Sequence, residues 1–215
     1  MGKVEQAVEQ LAAGNFIVMY DGDEREGEAD LIFHAAFATH DKIRKLRSEA
    51  GGLICLALGE AESAALKLPF YTDMLRKAGF PDIACKKTAY GDEPAFSLAV
   101  NHKQTFTGIT DQDRAFTIRE VDSCLRSGAP YENFVKNFYS PGHIFLLRSR
   151  GLAKRKGHTE LATALAAKTG LPAAAVLCEL LSTKKAMSKQ EATNYAARNK
   201  LLFIEGKEVS EEMLK

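Results

Sequence analysis

The sequence predicts a single compact domain of α+β, mixed α/β character, spanning residues 1–215, with a mixed sheet and surrounding helices. Three observations carry that expectation. Glycine and proline are dispersed through 215 residues with no low-complexity linker and no internal repeat, which suits one large domain. Helical and strand-like periodicities alternate along the chain. Several strand-like runs are nonetheless close enough in sequence to pair as hairpins, which favours a mixed sheet over a doubly wound parallel one. A chain of this length buries roughly 70% of its unfolded surface and needs no staple.

The elements follow in order. Residues 3–13 read as an amphipathic helix with Val4, Val8 and Leu11 on one face. The apolar run Phe16-Ile-Val-Met-Tyr20 reads as a strand, and 28–33, ending Leu-Ile-Phe, as the next. Helical periodicity fits 40–49, 59–66, 111–126 and 188–199. Strand-like runs fit 53–58, 95–100, 143–148, 174–180 and 201–204. Helix 159–169 has the clearest boundaries: Thr159 as N-cap, Glu160 in the first turn, and Gly170-Leu171-Pro172 as the stop.

Composition excludes several classes. The apolar fraction is 46%, the charged fraction 27% and the net charge +1, so no global field draws the chain to nucleic acid or membrane. The N-terminus has no apolar signal core and no run reaches the length of a membrane span, so a cytoplasmic location is expected. Cys55, Cys85, Cys124 and Cys178 form no C-x-x-C pair. Cys55 and Cys178 lie in apolar runs and read as buried, reduced thiols. No G-x-G-x-x-G or Walker-type loop is present.

Between the first two strands lies the densest chemistry in the chain. Residues 21–30 hold six carboxylates (Asp21, Asp23, Glu24, Glu26, Glu28, Asp30) and one arginine, Arg25. Crowded carboxylates raise each other's pKa unless a metal ion, a basic segment or water neutralises them. If residues 24–30 are extended, Glu24, Glu26, Glu28 and Asp30 share one face. Glu26 and Glu28 are then placed to hold a divalent ion directly or through water. A solvated acidic turn is the plain alternative. An EF-hand loop from Asp21 fails, because Arg25, Glu26 and Ile32 stand where its ligands and glycine belong. A phosphatase with Asp21 as nucleophile fits a strand followed by D-x-D, although Arg25 stands where Thr or Val is wanted.

A second constellation spans residues 148–160. Arg148, Arg150, Lys154, Arg155 and Lys156 run into the helix that opens at Thr159. Cations, backbone N–H groups and a helix dipole there have the composition of a phosphate site. Interleaved aromatics are missing, so nucleic-acid binding is not expected. His158 beside the helix entrance suits a metal ligand or a capping residue. His143 follows the Pro141-Gly142 turn and opens a strand, as a proton carrier, a substrate contact or a strand-end residue. Glu179, within an apolar run, is costly to bury without a partner; if buried, its pKa rises toward that of a general acid or base.

Taken together, four ordered motifs resemble those of the 3,4-dihydroxy-2-butanone 4-phosphate synthases of riboflavin biosynthesis, over nearly the whole chain. They are Asp23-Glu-Arg-Glu-Gly-Glu-Ala-Asp30, Thr107-Gly-Ile-Thr-Asp-Gln-Asp-Arg114 and Pro141-Gly-His-Ile-Phe145, then Arg155-Lys-Gly-His-Thr-Glu160 with Leu177-Cys-Glu-Leu180. The resemblance implies a lyase turning D-ribulose 5-phosphate into 3,4-dihydroxy-2-butanone 4-phosphate and formate with Mg²⁺ or Mn²⁺. It implies Glu26 and His158 as metal ligands, with Glu28 acting beside the metal. Arg25, Asp30, Thr107, Arg155 and Thr159 are implied to hold the substrate. Asp21, His143 and Glu179 are implied to move protons or orient it. A homodimer with the active site near the interface, in a stand-alone form, is also implied. Lys156, Gly22 and Gly27 depart from the common pattern, and Cys55 falls near the expected site.

Overall fold

The computed structural model describes residues 2–84 and 87–215; Cys85 lies outside them. Strands β1 (Ile17–Tyr20), β2 (Ala29–His34), β3 (Cys55–Leu58), β4 (Phe96–His102), β5 (Phe138–Arg148), β6 (Ala174–Glu179) and β7 (Leu202–Glu205) form one sheet. Their spatial order is β4-β5-β3-β6-β2-β1-β7. The β1–β7 and β3–β5 pairs are parallel and the other four antiparallel, so the sheet is mixed as expected.

Both faces of strands β1, β2, β3 and β6 are covered, which is why these four read as near-continuous apolar runs rather than alternating ones. Nine α-helices are described: α1 (Lys3–Ala12), α2 (His40–Lys45), α3 (Glu60–Ala65), α4 (Tyr71–Lys77), α5 (Asp111–Leu125), α6 (Pro130–Asn137), α7 (His158–Ala167), α8 (Lys189–Arg198) and α9 (Gly206–Met213). One core joins Leu31, Phe33, Leu56 and Val176 of the sheet to Ile43, Ile118, Val121 and Tyr195 of α2, α5 and α8. The other joins Ile17, Ile32, Ala57 and Leu177 to Leu11, Leu161, Leu165 and Val209 of α1, α7 and α9. Alternation along β2 and β6 therefore sends Asp30 and Glu179 to the α7 side.

Several expectations change. Residues 23–26 form a turn rather than an extended strand, so the four acidic side chains do not share one strand face. Helix α7 begins at His158 with Gly157 as N-cap, and Thr159 sits inside the first turn. Strand β5 begins at Phe138, five residues early. Pro141 and Gly142 lie in an irregularity of the β4–β5 ladder, not in a turn before a new strand. A Cβ on Gly142 would overlap the backbone of Val100 and Asn101, so only glycine fits there. Helices α4, α6 and α9 were not expected; they have 7, 8 and 8 residues, too few for a clear period. Cys55, Cys124 and Cys178 are buried free thiols. Among the described residues no helix is long and apolar enough to cross a membrane.

Candidate active site

Asp21 organises the acidic run. Its buried carboxylate accepts the backbone N–H of Glu26 at 3.0 Å and of Glu28 at 3.1 Å, drawing residues 21–28 into a loop that returns to β2. Both acceptor oxygens are thereby engaged. Glu26 and Glu28 are left half-buried at the open end of β2. Asp30 stands opposite Glu179 in the β2–β6 ladder. Glu179 is half-buried, not buried, and Oε2 accepts the backbone N–H of Leu53 at 2.7 Å. Gly52 makes this possible, since a Cβ there would overlap the Glu179 carboxylate. The first turn of α7 brings in His158 and Thr159, both buried.

His158 is central to this group. Its Nδ1 lies 4.0 Å from Glu26 Oε2, and its Nε2 lies 3.8 Å from Asp30 Oδ1. Ligand atoms of Asp21, Glu26 and His158 all fall within 4.8 Å of one another. Among the described residues, Nε2 of His158 and Oδ1 of Asp30 are buried without a hydrogen-bond partner. Buried polar atoms are normally satisfied, so these two mark a place for a missing group. Carboxylate and imidazole donors suit a divalent cation. Glu26 and His158 thus meet as expected, and Asp21 joins them.

The electrostatics follow from the crowding. Burial pushes the Asp30 carboxyl up to about 8; Glu179, Glu26 and Glu28 add to the rise and His158 opposes it. Burial, with Glu26 and Glu179, also raises Glu28. Burial alone lowers His158, but Asp30, Asp21, Glu26 and Glu179 together carry it above the ordinary histidine value. Crowded carboxylates in a buried setting therefore define the site, and they favour proton uptake by their neighbours.

A cavity of about 200 Å³ lies over these groups, lined by Glu26, Asp30, Arg155, His158, Thr159 and Glu179, with Cys55 in its wall. Arg155 is almost buried. Its Nη1 donates to Glu160 Oε2 at 2.5 Å, and its Nε lies 3.3 Å from Asp92 Oδ2. Arg25 donates to the same Asp92 oxygen at 2.8 Å. A wider cleft of about 1010 Å³ opens beside Arg25 and Arg155, next to Lys154, Lys156 and Lys207. Three others of the basic segment are engaged: Arg150 with Glu93 at 2.9 Å, Lys154 with Glu60 at 3.4 Å, and Arg148 with the carbonyl of Leu68 at 2.9 Å.

His143 and Thr107 do not line the cavity. His143 is held by Asn101, whose Oδ1 accepts its backbone N–H at 2.8 Å. Thr107 is exposed on the loop before α5, where Asp113 accepts the N–H groups of Thr107 at 3.3 Å and Gly108 at 2.9 Å. Asn101 is a member of this second group that the sequence did not single out. Near the cavity, Tyr90, Asp92 and the role of Glu160 were also missed. Burial, with the neighbouring Glu26 carboxylate, raises the Tyr90 phenol. Glu160 stood inside a quoted motif, and its nearness to Arg155 was the available signal. Tyr90 and Asp92 sit in a loop with no pattern to mark them.

Fold and site together define an enzyme of small-molecule metabolism. The family model for 3,4-dihydroxy-2-butanone 4-phosphate synthase matches residues 5–212, and the chain belongs to this family. It is 39% identical over 227 residues to a 3,4-dihydroxy-2-butanone 4-phosphate synthase of Methanosarcina mazei, covering 98% of this chain and 91% of that one. It is 37% identical over 220 residues to that of Methanothermobacter thermautotrophicus, covering 98% and 96%. Among solved structures, a 3,4-dihydroxy-2-butanone 4-phosphate synthase in complex with two magnesium ions superposes with a TM-score of 0.76 at 26% identity, over 97% of this chain and 94% of that one.

Proposed function

We propose that this chain converts D-ribulose 5-phosphate into 3,4-dihydroxy-2-butanone 4-phosphate and formate, with Mg²⁺ or Mn²⁺ as cofactor, and so supplies riboflavin biosynthesis. The observation that carries this reading is the Asp21–Glu26–His158 cluster, with the unpartnered Nε2 of His158 facing the unpartnered Oδ1 of Asp30, set beside two arginines. Glu26 and His158 are the metal ligands in this reading. A divalent ion held there supplies Lewis-acid stabilisation for negative charge on neighbouring substrate oxygens.

The protein groups do the rest. Glu28, whose carboxyl is raised by burial and its acidic neighbours, acts beside the metal as acid or base, and Asp30, pushed up to about 8, helps to hold the substrate. Glu179, fixed by the Leu53 N–H, acts on the same side of the cavity. Asp21 sets the loop that presents Glu26 and Glu28. Arg25, Arg155 and Thr159 clamp the substrate, which keeps it in register while its skeleton rearranges. Thr107 and His143 act from the second group. They lie outside the cavity, which supports a homodimer in which a second copy completes the site. We place the protein in the cytoplasm, with a sugar phosphate rather than nucleic acid or a membrane as its partner.

A phosphatase with Asp21 as nucleophile is disfavoured, because that carboxylate is buried and bound by two backbone N–H groups. The test is formate release from ribulose 5-phosphate and Mg²⁺, followed by a coupled dehydrogenase, with EDTA and Glu26→Gln as controls. Metal-dependent formate lost in both controls is expected. Inorganic phosphate in its place would overturn the reading.

A further inference from the structure

Arg25 and Arg155 are both held by one carboxylate from a neighbouring loop. Asp92 Oδ2 accepts from Arg25 Nη1 at 2.8 Å and lies 3.3 Å from Arg155 Nε. The two arginine side chains are only 13% and 7% exposed. Buried guanidiniums need anions. Arg155 also pairs with Glu160 at 2.5 Å and Arg25 lies 3.7 Å from Asp21, but among the described residues Asp92 is the carboxylate that reaches both. Asp92 satisfies them poorly: Arg25 Nε and Nη2 and Arg155 Nε are buried without a hydrogen-bond partner among the described residues.

The segment that carries Asp92 is a self-closed turn. The N–H of Thr88 donates to the Asp92 carbonyl at 2.8 Å, that of Asp92 to Thr88 Oγ1 at 3.2 Å, and that of Gly91 to the Thr88 carbonyl at 2.9 Å. Gly91, at φ +88°, allows the tight closure. Tyr90 lies against the Arg25 guanidinium, 5.4 Å from Cζ to ring centroid. The turn is thus closed on itself and meets the arginines through the Asp92 carboxylate and the Tyr90 ring. A phosphate dianion offers more acceptor oxygens and more charge than one Asp92 oxygen, and it can reach the idle donors.

We propose that Asp92 is an internal stand-in for the substrate's phosphate. It holds Arg25 and Arg155 in the free protein, and residues 88–92 are released when a phosphate takes both guanidiniums. This rests on the reading that these arginines serve a phosphorylated substrate. Glu93, paired with Arg150 at 2.9 Å, remains as the anchor about which the turn moves.

Inorganic phosphate is the probe, titrated calorimetrically at fixed ionic strength into the wild type and Asp92→Asn. Removing the competing anion is expected to tighten phosphate binding roughly ten-fold, as for a site whose competent form is about a tenth populated. Hydrogen exchange of residues 88–92 in the wild type should rise on adding phosphate. Equal or weaker phosphate binding by Asp92→Asn overturns the proposal, as does unchanged or increased protection of the turn. Neither readout needs turnover. Formate production with unaltered phosphate affinity sinks Asp92's role alone, whereas tighter phosphate binding without formate sinks only the lyase reading.

Discussion

Replacing Glu160 by alanine should cost both stability and substrate affinity, through Arg155. Glu160 is 1% exposed; its Oε2 is 2.5 Å from Arg155 Nη1, and its Oε1 accepts the N–H of Arg150 at 3.0 Å. Breaking a buried ion pair from one side typically costs roughly 3–5 kcal/mol. Asp92 and Glu26, at 3.3 and 3.7 Å, still face the guanidinium, so about half of that is expected here. Losing the Arg150 backbone bond adds about 1 kcal/mol. The sum is about 3 kcal/mol, or a fall in Tm of roughly 6–12 °C for a chain of this size. Denaturant unfolding of Glu160→Ala and Glu160→Gln is the assay, with KM for ribulose 5-phosphate measured on both. Glutamine keeps an acceptor for Arg150 and should recover part of the stability but not the affinity. A Glu160→Ala protein within 1 kcal/mol of wild type, with unchanged KM, would refute the argument that Glu160 positions Arg155.

Other consequences are open to direct measurement. Burial pushes the Asp30 carboxyl from its ordinary 3.8 up to about 8, so its stabilising contribution is complete below about pH 4 and lost as pH rises through 8. The raised His158 acts in the same direction. The metal-free protein should therefore lose stability across that window, while the Tm gain from Mg²⁺ grows as these protons leave; a Mg²⁺ effect independent of pH would contradict this. Asp21→Asn sets an amide N–H₂ where one backbone N–H donates and should cost about 1–3 kcal/mol. It should also weaken Mg²⁺ binding, both read by thermal shift. Gly142→Ala forces a methyl into the backbone of Val100 and Asn101 and should lower Tm and activity together; wild-type behaviour would show that the strands part freely.

The elements nearest the site were legible because their signals are local. All seven strands were anticipated; β1, β2, β3 and β6, covered on both sides, are apolar along their length, and β4 and β5 carry shorter apolar runs. Acidic, basic and histidine clusters were legible as compositions, and the motifs named Glu26 and His158. Helices α4, α6 and α9 were not, being one or two turns long and held by packing rather than by period. The entry of α7 was misplaced by two residues, because Thr159 is a good cap by type while Gly157 is the cap by geometry.

Residue order alone determined which groups are available: a dense acidic run, a cationic segment, a histidine at a helix entrance and a carboxylate in an apolar strand. Tertiary structure decided which of them meet. The β2–β6 register sets Asp30 against Glu179, and α7 packing on that face lowers His158 between Asp30 and Glu26. It also set two residues whose contacts the sequence did not show. Asp21 spends its oxygens on the loop backbone, and Asp92, in an unmarked turn, bridges the arginines. Such pairings join residues far apart in the chain, where no local propensity acts; the sheet and its two cores bring them together.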